Sequence, residues 1–234
     1  MLQMIIGSIE ENLQLVHRRM ADACAAGERS VGSVQLLAVS KTFPAAAVRQ
    51  AHAAGQRAFG ENYVQEALAK IAALADLRSA IEWHLIGPLQ SNKTRDVAAA
   101  FDWVHSVDRL KIAERLSAQR PADLPPLQLC LQVNISGEAS KSGLLPSEVA
   151  AVAAAVTALP QVVLRGLMAI PEPVVDLQAQ RVPYRALREL MAALNATGLT
   201  LDTLSMGMSA DLEAAVLEGA TLVRVGSAIF GGRG

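Results

Sequence analysis

The feature that most constrains this chain is an alternation repeated along almost its whole length. Short runs rich in branched and aromatic residues are separated by longer runs of Ala and Leu with helical spacing. The strand-like runs are Val34–Val39, Arg57–Gly60, Glu82–Ile86, Trp103–Ser106, Gln128–Asn134, Val163–Met168, Thr200–Ser205 and Thr221–Val225. Helical runs fall between them at Ala45–Ala54, Val64–Leu77, Lys93–Ala100, Arg109–Gln119, Pro146–Leu159, Tyr184–Ala196 and Ala210–Glu218. An opening amphipathic helix spans about Ser8 to Gly27, with Ile9, Leu13, Val16 and Met20 on one face. Eight strands alternating with helices in 234 residues predict an α/β fold, a single (β/α)8 TIM-type barrel with an extra N-terminal helix. The sequence stops nine residues past Val225, so one domain over residues 1–234 and no second β-domain is expected. Pro121–Pro126 and Pro171–Pro183 read as loops too short to link domains. Asp108 and Ser209 read as helix N-caps.

Bulk properties remove several classes of function. A formal net charge of −1 and 3% aromatics argue against a nucleic-acid or anionic-membrane binder. Hydrophobic residues reach 52%, enough for a large core, yet no run approaches a membrane span. The opening "MLQMIIGSIEENL" lacks the basic start and long apolar run of a signal peptide. The two cysteines, Cys24 and Cys130, have no paired spacing and read as buried thiols of a reducing compartment. A cytoplasmic protein is expected. No His/Cys or carboxylate cluster has metal-ligand spacing, so no metal is expected.

The C-terminal ends of barrel strands converge on one mouth. In this sequence those positions are Lys41, Asn62, His84, Ser106, Asn134, Met168, Ser205 and Arg224, all but one of them polar. Lys41 follows the apolar run "LLAVS". Desolvated there, its amine would be partly uncharged and able to attack an aldehyde, although a lysine at a strand end also snorkels to water. "SMGMSAD" and "RVGSAIFG" place small residues and a helix start beside each other after strands seven and eight, a recurrent phosphate site in barrels. Arg224 lies between Val223 and Val225, points inward, and needs either an anion or an internal salt bridge. An amine, a phosphate cradle and an inward arginine together suit a phosphorylated aldehyde, and pyridoxal 5′-phosphate (PLP) is one.

"LLAVSKT", "GENYVQE", "HLIGPLQSNK", "VNISGEASKSG", "GLMAI", "LSMGMSAD" and "RVGSAIFG" together resemble the pyridoxal phosphate homeostasis protein family, with the fold of the N-terminal barrel of alanine racemase. The resemblance runs from about Ile9 to Gly231. It implies that Lys41 forms a Schiff base with PLP. It also implies that Ser209, with the amides of Gly226 and Ser227 and with Met208 nearby, holds the phosphate. Arg224 would face the pyridine nitrogen, and Asn62, His84, Met168, Ser205 and Met206 would surround the ring. Phe43, Ala169 and Ser227 depart from the residues common in the family. The implied role is in PLP and amino-acid homeostasis; Arg224 at the pyridine nitrogen and the lack of a second base lead to the expectation of no turnover, with PLP-dependent apo-enzymes as recipients, and Ala-rich helix faces packed within the barrel lead to the expectation of a monomer. Two further readings stand beside it: a PLP-dependent racemase or lyase, and a Schiff-base aldolase using Lys41 with Glu61 as the nearby acid or base.

Overall fold

The computed structural model describes residues 7–137 and 141–232. Eight parallel strands close into a barrel in sequence order, each paired with its neighbour and the first with the last. They are β1 (Gln35–Val39), β2 (Ala58–Glu61), β3 (Glu82–Leu85), β4 (Trp103–Val107), β5 (Leu127–Gln132), β6 (Val162–Met168), β7 (Thr203–Ser205) and β8 (Leu222–Val225). Between them lie α2 (Ala45–Ala53), α3 (Val64–Ala73), α4 (Thr94–Ala100), α5 (Leu110–Gln119), α6 (Pro146–Thr157), α7 (Leu177–Ala196) and α8 (Leu212–Leu217). α1 (Ile9–Ala26) precedes β1, and the short α9 (Ser227–Phe230) follows β8. The expected (β/α)8 barrel with an additional N-terminal helix is what forms.

Side chains alternate across each strand. The outward set, including Leu36, Ala38, Phe59, Trp83, Leu85, Val104, Leu129, Leu131, Val223 and Val225, meets the helices in one continuous core. The inward set mixes apolar and polar side chains. Leu37, Ala58 and Leu222 pack together, and Trp103, Cys130 and Met168 form a second apolar group. His84, His105, Ser205 and Arg224 fill much of the remaining interior, none more than 4% exposed.

α1 is fixed at both ends and along its length. Ser8 and Glu11 form a reciprocal capping box at its start, and Gly27 caps its end. Asn12 Nδ2 donates to Ile229 O at 2.8 Å, while Arg19 pairs with Glu213 and donates to Ser209 O at 3.0 Å. The extra helix therefore braces the segments that follow β7 and β8.

Three local expectations change. Asp108 caps nothing: α5 begins after Arg109, with no side-chain cap. α7 begins at Leu177, with Asp176 as N-cap accepting from Ala179 N, so the second half of Pro171–Pro183 is helical and Pro183 sits inside it. α8 begins at Leu212, not at Ser209 or Ala210. Asp211 takes the Met208 N–H at 2.6 Å and holds residues 208–211 as a turn.

Burial holds His105 neutral, with the nearby Arg224 guanidinium adding to the effect, so its pKa lies well below the ordinary 6.5. The unfolded chain therefore binds a proton at this side chain before the folded chain does. Its contribution to stability is intact above about pH 6.5 and is lost as pH falls toward the depressed folded value. Urea unfolding as pH falls below about 6.5 is expected to show His105→Gln losing less stability than wild type, by up to about 1.4 kcal/mol per pH unit. Parallel curves for the two proteins would contradict this.

Candidate functional site

The segment carrying Lys41 is clamped from behind. Glu61, at the end of β2, points outward from the barrel toward α3 and is fully buried. It accepts from Ser40 Oγ at 2.6 Å and from Lys70 Nζ at 2.8 Å. Lys70 also donates to Ser40 O at 2.6 Å and pairs with Glu66 at 2.6 Å. Glu66 in turn accepts the Thr42 N–H at 2.6 Å. Thr42 has φ of +69°, a costly conformation for a β-branched residue. The residues on both sides of Lys41 are thus tied to α3, and the half-buried lysine is set at the barrel mouth.

Burial pushes the Glu61 carboxyl upward, while Lys70 and Ser40 pull it down, and burial prevails. Glu61 Oε2 has no hydrogen-bond partner, in keeping with an incompletely compensated carboxylate.

Lys41 lines a cavity of about 410 Å³ with Asn62, Met208, Ser209, Arg224, Gly226 and Ser227. That size suits a small organic ligand, for which sites of roughly 300–1,000 Å³ are usual. Its apolar wall comes from Val39, Phe43, Ile86 and Ile170. Phe43 meets Phe230 of α9 with ring centroids 5.2 Å apart, which joins the β1–α2 and C-terminal segments.

On the opposite side two loops converge. Gly207, at φ of +91°, turns the chain after β7 where a Cβ would lie 2.4 Å from the Ala215 methyl. The hydroxyls of Ser209 and Ser227, from separate loops, come within 3.4 Å of each other. Two hydroxyls at this spacing suit the oxygens of one phosphate. Asn62 Oδ1 is buried without a partner, an acceptor that a ligand donor could satisfy.

Arg224 reaches this cavity from inside the barrel. Its guanidinium donates to Ser205 O, to Ser205 Oγ at 2.8 Å and to Ala169 O at 2.9 Å. Among the described residues it forms no salt bridge, so the inward arginine is held by neutral acceptors and keeps its charge for the mouth. Desolvation lowers its pKa below the usual guanidinium range.

Of the residues expected from sequence, Lys41, Asn62, Met208, Ser209, Arg224, Gly226 and Ser227 share the cavity. His84, Met168 and Ser205 lie beneath it and Met206 lies outside the barrel wall, all fully buried. Met168 packs on Trp103 and Cys130, and Met206 belongs to the outer core. His84 stacks on Trp103 and lies within hydrogen-bond distance of His105. The wall residues Ile86 and Ile170 were not anticipated. Both directly follow a strand or its last residues in "HLIG" and "MAIP", and that position was their only signal. The block "VNISGEASKSG" includes Glu138–Ser140, which lie outside the described residues, as do residues 1–6 of the N-terminal stretch. Among the described residues no helix is long and apolar enough to cross a membrane, and no group of His, Cys, Asp and Glu could hold a metal ion.

The fold and its mouth define a class: a (β/α)8 barrel presenting an amine, a guanidinium and paired hydroxyls to one small-molecule cavity. The chain belongs to the family of the alanine racemase N-terminal domain, whose model matches residues 7–234. It is 62% identical over 228 residues to the pyridoxal phosphate homeostasis protein of Pseudomonas aeruginosa, covering 97% of each chain. It is 51% identical to the protein of the same name from Escherichia coli, covering 97% of this chain and 98% of that one. Among solved structures, PipY of Synechococcus elongatus with PLP bound aligns with a TM-score of 0.79 and 44% identity, over 91% of this chain and all of that one. Alanine racemase of Corynebacterium glutamicum, at 17% identity and a TM-score of 0.66, shares the fold. The alignment covers 95% of this chain and 60% of the racemase.

The clamp behind Lys41 makes a direct prediction. Lys70→Met removes the cation from a buried carboxylate, and such losses cost about 3–5 kcal/mol. The lower end, about 3 kcal/mol, is expected here, because the raised pKa of Glu61 lets it take up a proton instead. Adding Glu61→Gln should recover more than half of the loss in urea unfolding. A single-variant cost near zero would show that the cluster does not hold the loop.

Proposed function

We propose that this chain binds PLP at the barrel mouth and holds it as a Schiff base on Lys41, serving PLP homeostasis without catalytic turnover. The observation that carries the reading is the meeting of Lys41, Arg224 and the Ser209 and Ser227 hydroxyls in one cavity of about 410 Å³. When bound, PLP supplies an aldehyde that condenses with an amine with loss of water. The chain supplies that amine on a loop fixed by α3, and it supplies hydroxyls for the phosphate where α1 braces the Ser209 carbonyl. Asn62 offers its unpaired oxygen to the ligand, and Phe43, Ile86 and Ile170 shield one side of the pocket.

Two features favour holding over turnover. A cationic Arg224 facing the pyridine nitrogen would keep that nitrogen unprotonated and the ring a weak electron sink. Neither tyrosine serves as a second base at the mouth: Tyr63 is 56% exposed, and Tyr184 is buried and donates to Asp211 at 2.7 Å. Burial together with Asp211 pushes the Tyr184 pKa upward, away from that of a useful base.

The aldolase reading loses its acid. Glu61 points away from the mouth and is engaged by Ser40 and Lys70. Relatives of this length named for PLP homeostasis support the physiological half of the proposal. Recipient apo-enzymes, a monomeric state and a cytoplasmic location belong to the same reading.

Titration of the purified protein with PLP, followed by visible absorbance, tests it. Wild type is expected to develop a Schiff-base band that sodium borohydride abolishes, and Lys41→Ala is expected to develop none. A protein that stays colourless at saturating PLP would end the cofactor reading. Rapid exchange of the α-proton of L- or D-amino acids in the loaded protein would end the claim of no turnover.

A further inference from the structure

The interior polar groups beneath the mouth form a connected series. From Arg224, Nη1 donates to Ser205 Oγ at 2.8 Å. Ser205 Oγ lies 2.7 Å from His105 Nδ1, and His105 Nε2 lies 2.9 Å from His84 Nδ1. His84 Nε2 has no hydrogen-bond partner but faces Glu82 Oε2 at 3.7 Å, beyond hydrogen-bond length and within reach of a carboxylate's field. Glu82 is itself held by the indole N–H of Trp103, and His84 stacks on that indole at 5.4 Å. The series runs from the ligand cavity toward the opposite end of the barrel, where Glu82 begins β3.

Its ends fix its direction. A guanidinium only donates, and an ionised carboxylate only accepts. Ser205 Oγ already accepts from Arg224, so its one proton is best spent on His105 Nδ1, which must then be bare. A neutral His105 carries its proton on Nε2 and donates to His84 Nδ1. His84 then carries its own proton on Nε2, toward Glu82. The reverse order gives the buried Ser205 hydroxyl a second donor and strands its own proton. It also aims a lone pair of His84 at a carboxylate. Each of these costs free energy in a site closed to water. A neutral His105 agrees with the direction in which burial moves its pKa.

We propose that His84 and His105, oriented by Glu82, are positioning residues for Arg224. Their one-way series commits the Ser205 hydroxyl proton to His105 and leaves Ser205 Oγ as a fixed acceptor for the guanidinium. Arg224 is thereby set in one orientation at the mouth before any ligand arrives. The structural part stands on the chain's own hydrogen bonds; only the consequence for PLP rests on the cofactor reading above.

The first test uses cofactor-free wild-type protein labelled with ¹⁵N, at neutral pH. Long-range ¹H–¹⁵N spectra are expected to show His84 and His105 neutral and protonated on Nε2, with assignments from their contacts to the Trp103 indole in the wild-type protein. Protonation on Nδ1, or an imidazolium at either residue, overturns the proposal. Because this measurement needs no variant to fold for its outcome, it stands whatever the variants do.

The second test compares His105→Phe with His105→Gln, whose amide both donates and accepts. In the phenylalanine variant the Arg224 guanidinium signals should collapse to the freely rotating average, and PLP affinity should fall about tenfold, the loss expected for one buried hydrogen bond. The glutamine variant should restore both in part. Wild-type guanidinium signals in a folded His105→Phe protein overturn the positioning role. Collapsed signals with unchanged PLP affinity support it and count instead against the placement of Arg224 on the ligand.

Discussion

Pairing of the first strand with the last is the constraint on which this molecule depends. β1 lies against β8 in register from Gln35 with Leu222 to Ala38 with Val225. That closure brings Lys41, just past the end of β1, beside Gly226 and Ser227, just past the end of β8. An open sheet with the same strands would separate the amine from the hydroxyls by the width of the sheet. Closure also turns the alternate side chains of all eight strands into a sealed interior. A guanidinium can then sit dry, held by carbonyl and hydroxyl oxygens, with its charge directed to the mouth.

Three supports converge on that mouth from outside the barrel. α3 grips the Lys41 segment through Lys70 and Glu66, with Glu61 of β2 joined to Lys70. α1 grips the Ser209 segment through Arg19. Asp211, tied to Tyr184 of α7, shapes the turn before α8. Asp211 also places a carboxylate two residues from Ser209, and the Arg224 guanidinium on the same cavity offsets it for an anionic ligand. The supports act mainly on backbone atoms, which suits a cavity lined by a loop lysine and loop hydroxyls.

Much of this was legible in the sequence because it rests on local periodicity. The eight strands appear within a few residues of their expected places, since strands buried on both faces leave short apolar runs between the longer helical ones. The cavity-lining residues at the loop starts, Lys41, Asn62, Ser209 and Ser227, were readable because strand ends in a barrel share one face. Depth was harder to read. His84 and Ser205 sit one layer below the cavity, and one residue along a strand decides between mouth and interior. Helix starts failed where a side chain made a competing bond: Asp211 captured the Met208 amide and delayed α8, and Pro183 concealed a helix that begins at Asp176 and Leu177. The clamp behind Lys41 was invisible. Its partners are far apart in sequence, and Glu61 was weighed as a mouth carboxylate although its strand position turns it outward.

The most direct measurement is a crystal structure of this chain grown with PLP. The account predicts continuous density from Lys41 Nζ to the cofactor, its phosphate between the Ser209 and Ser227 hydroxyls and its ring nitrogen facing Arg224. Cofactor attached to a different lysine, or a phosphate placed away from both serines, would contradict it.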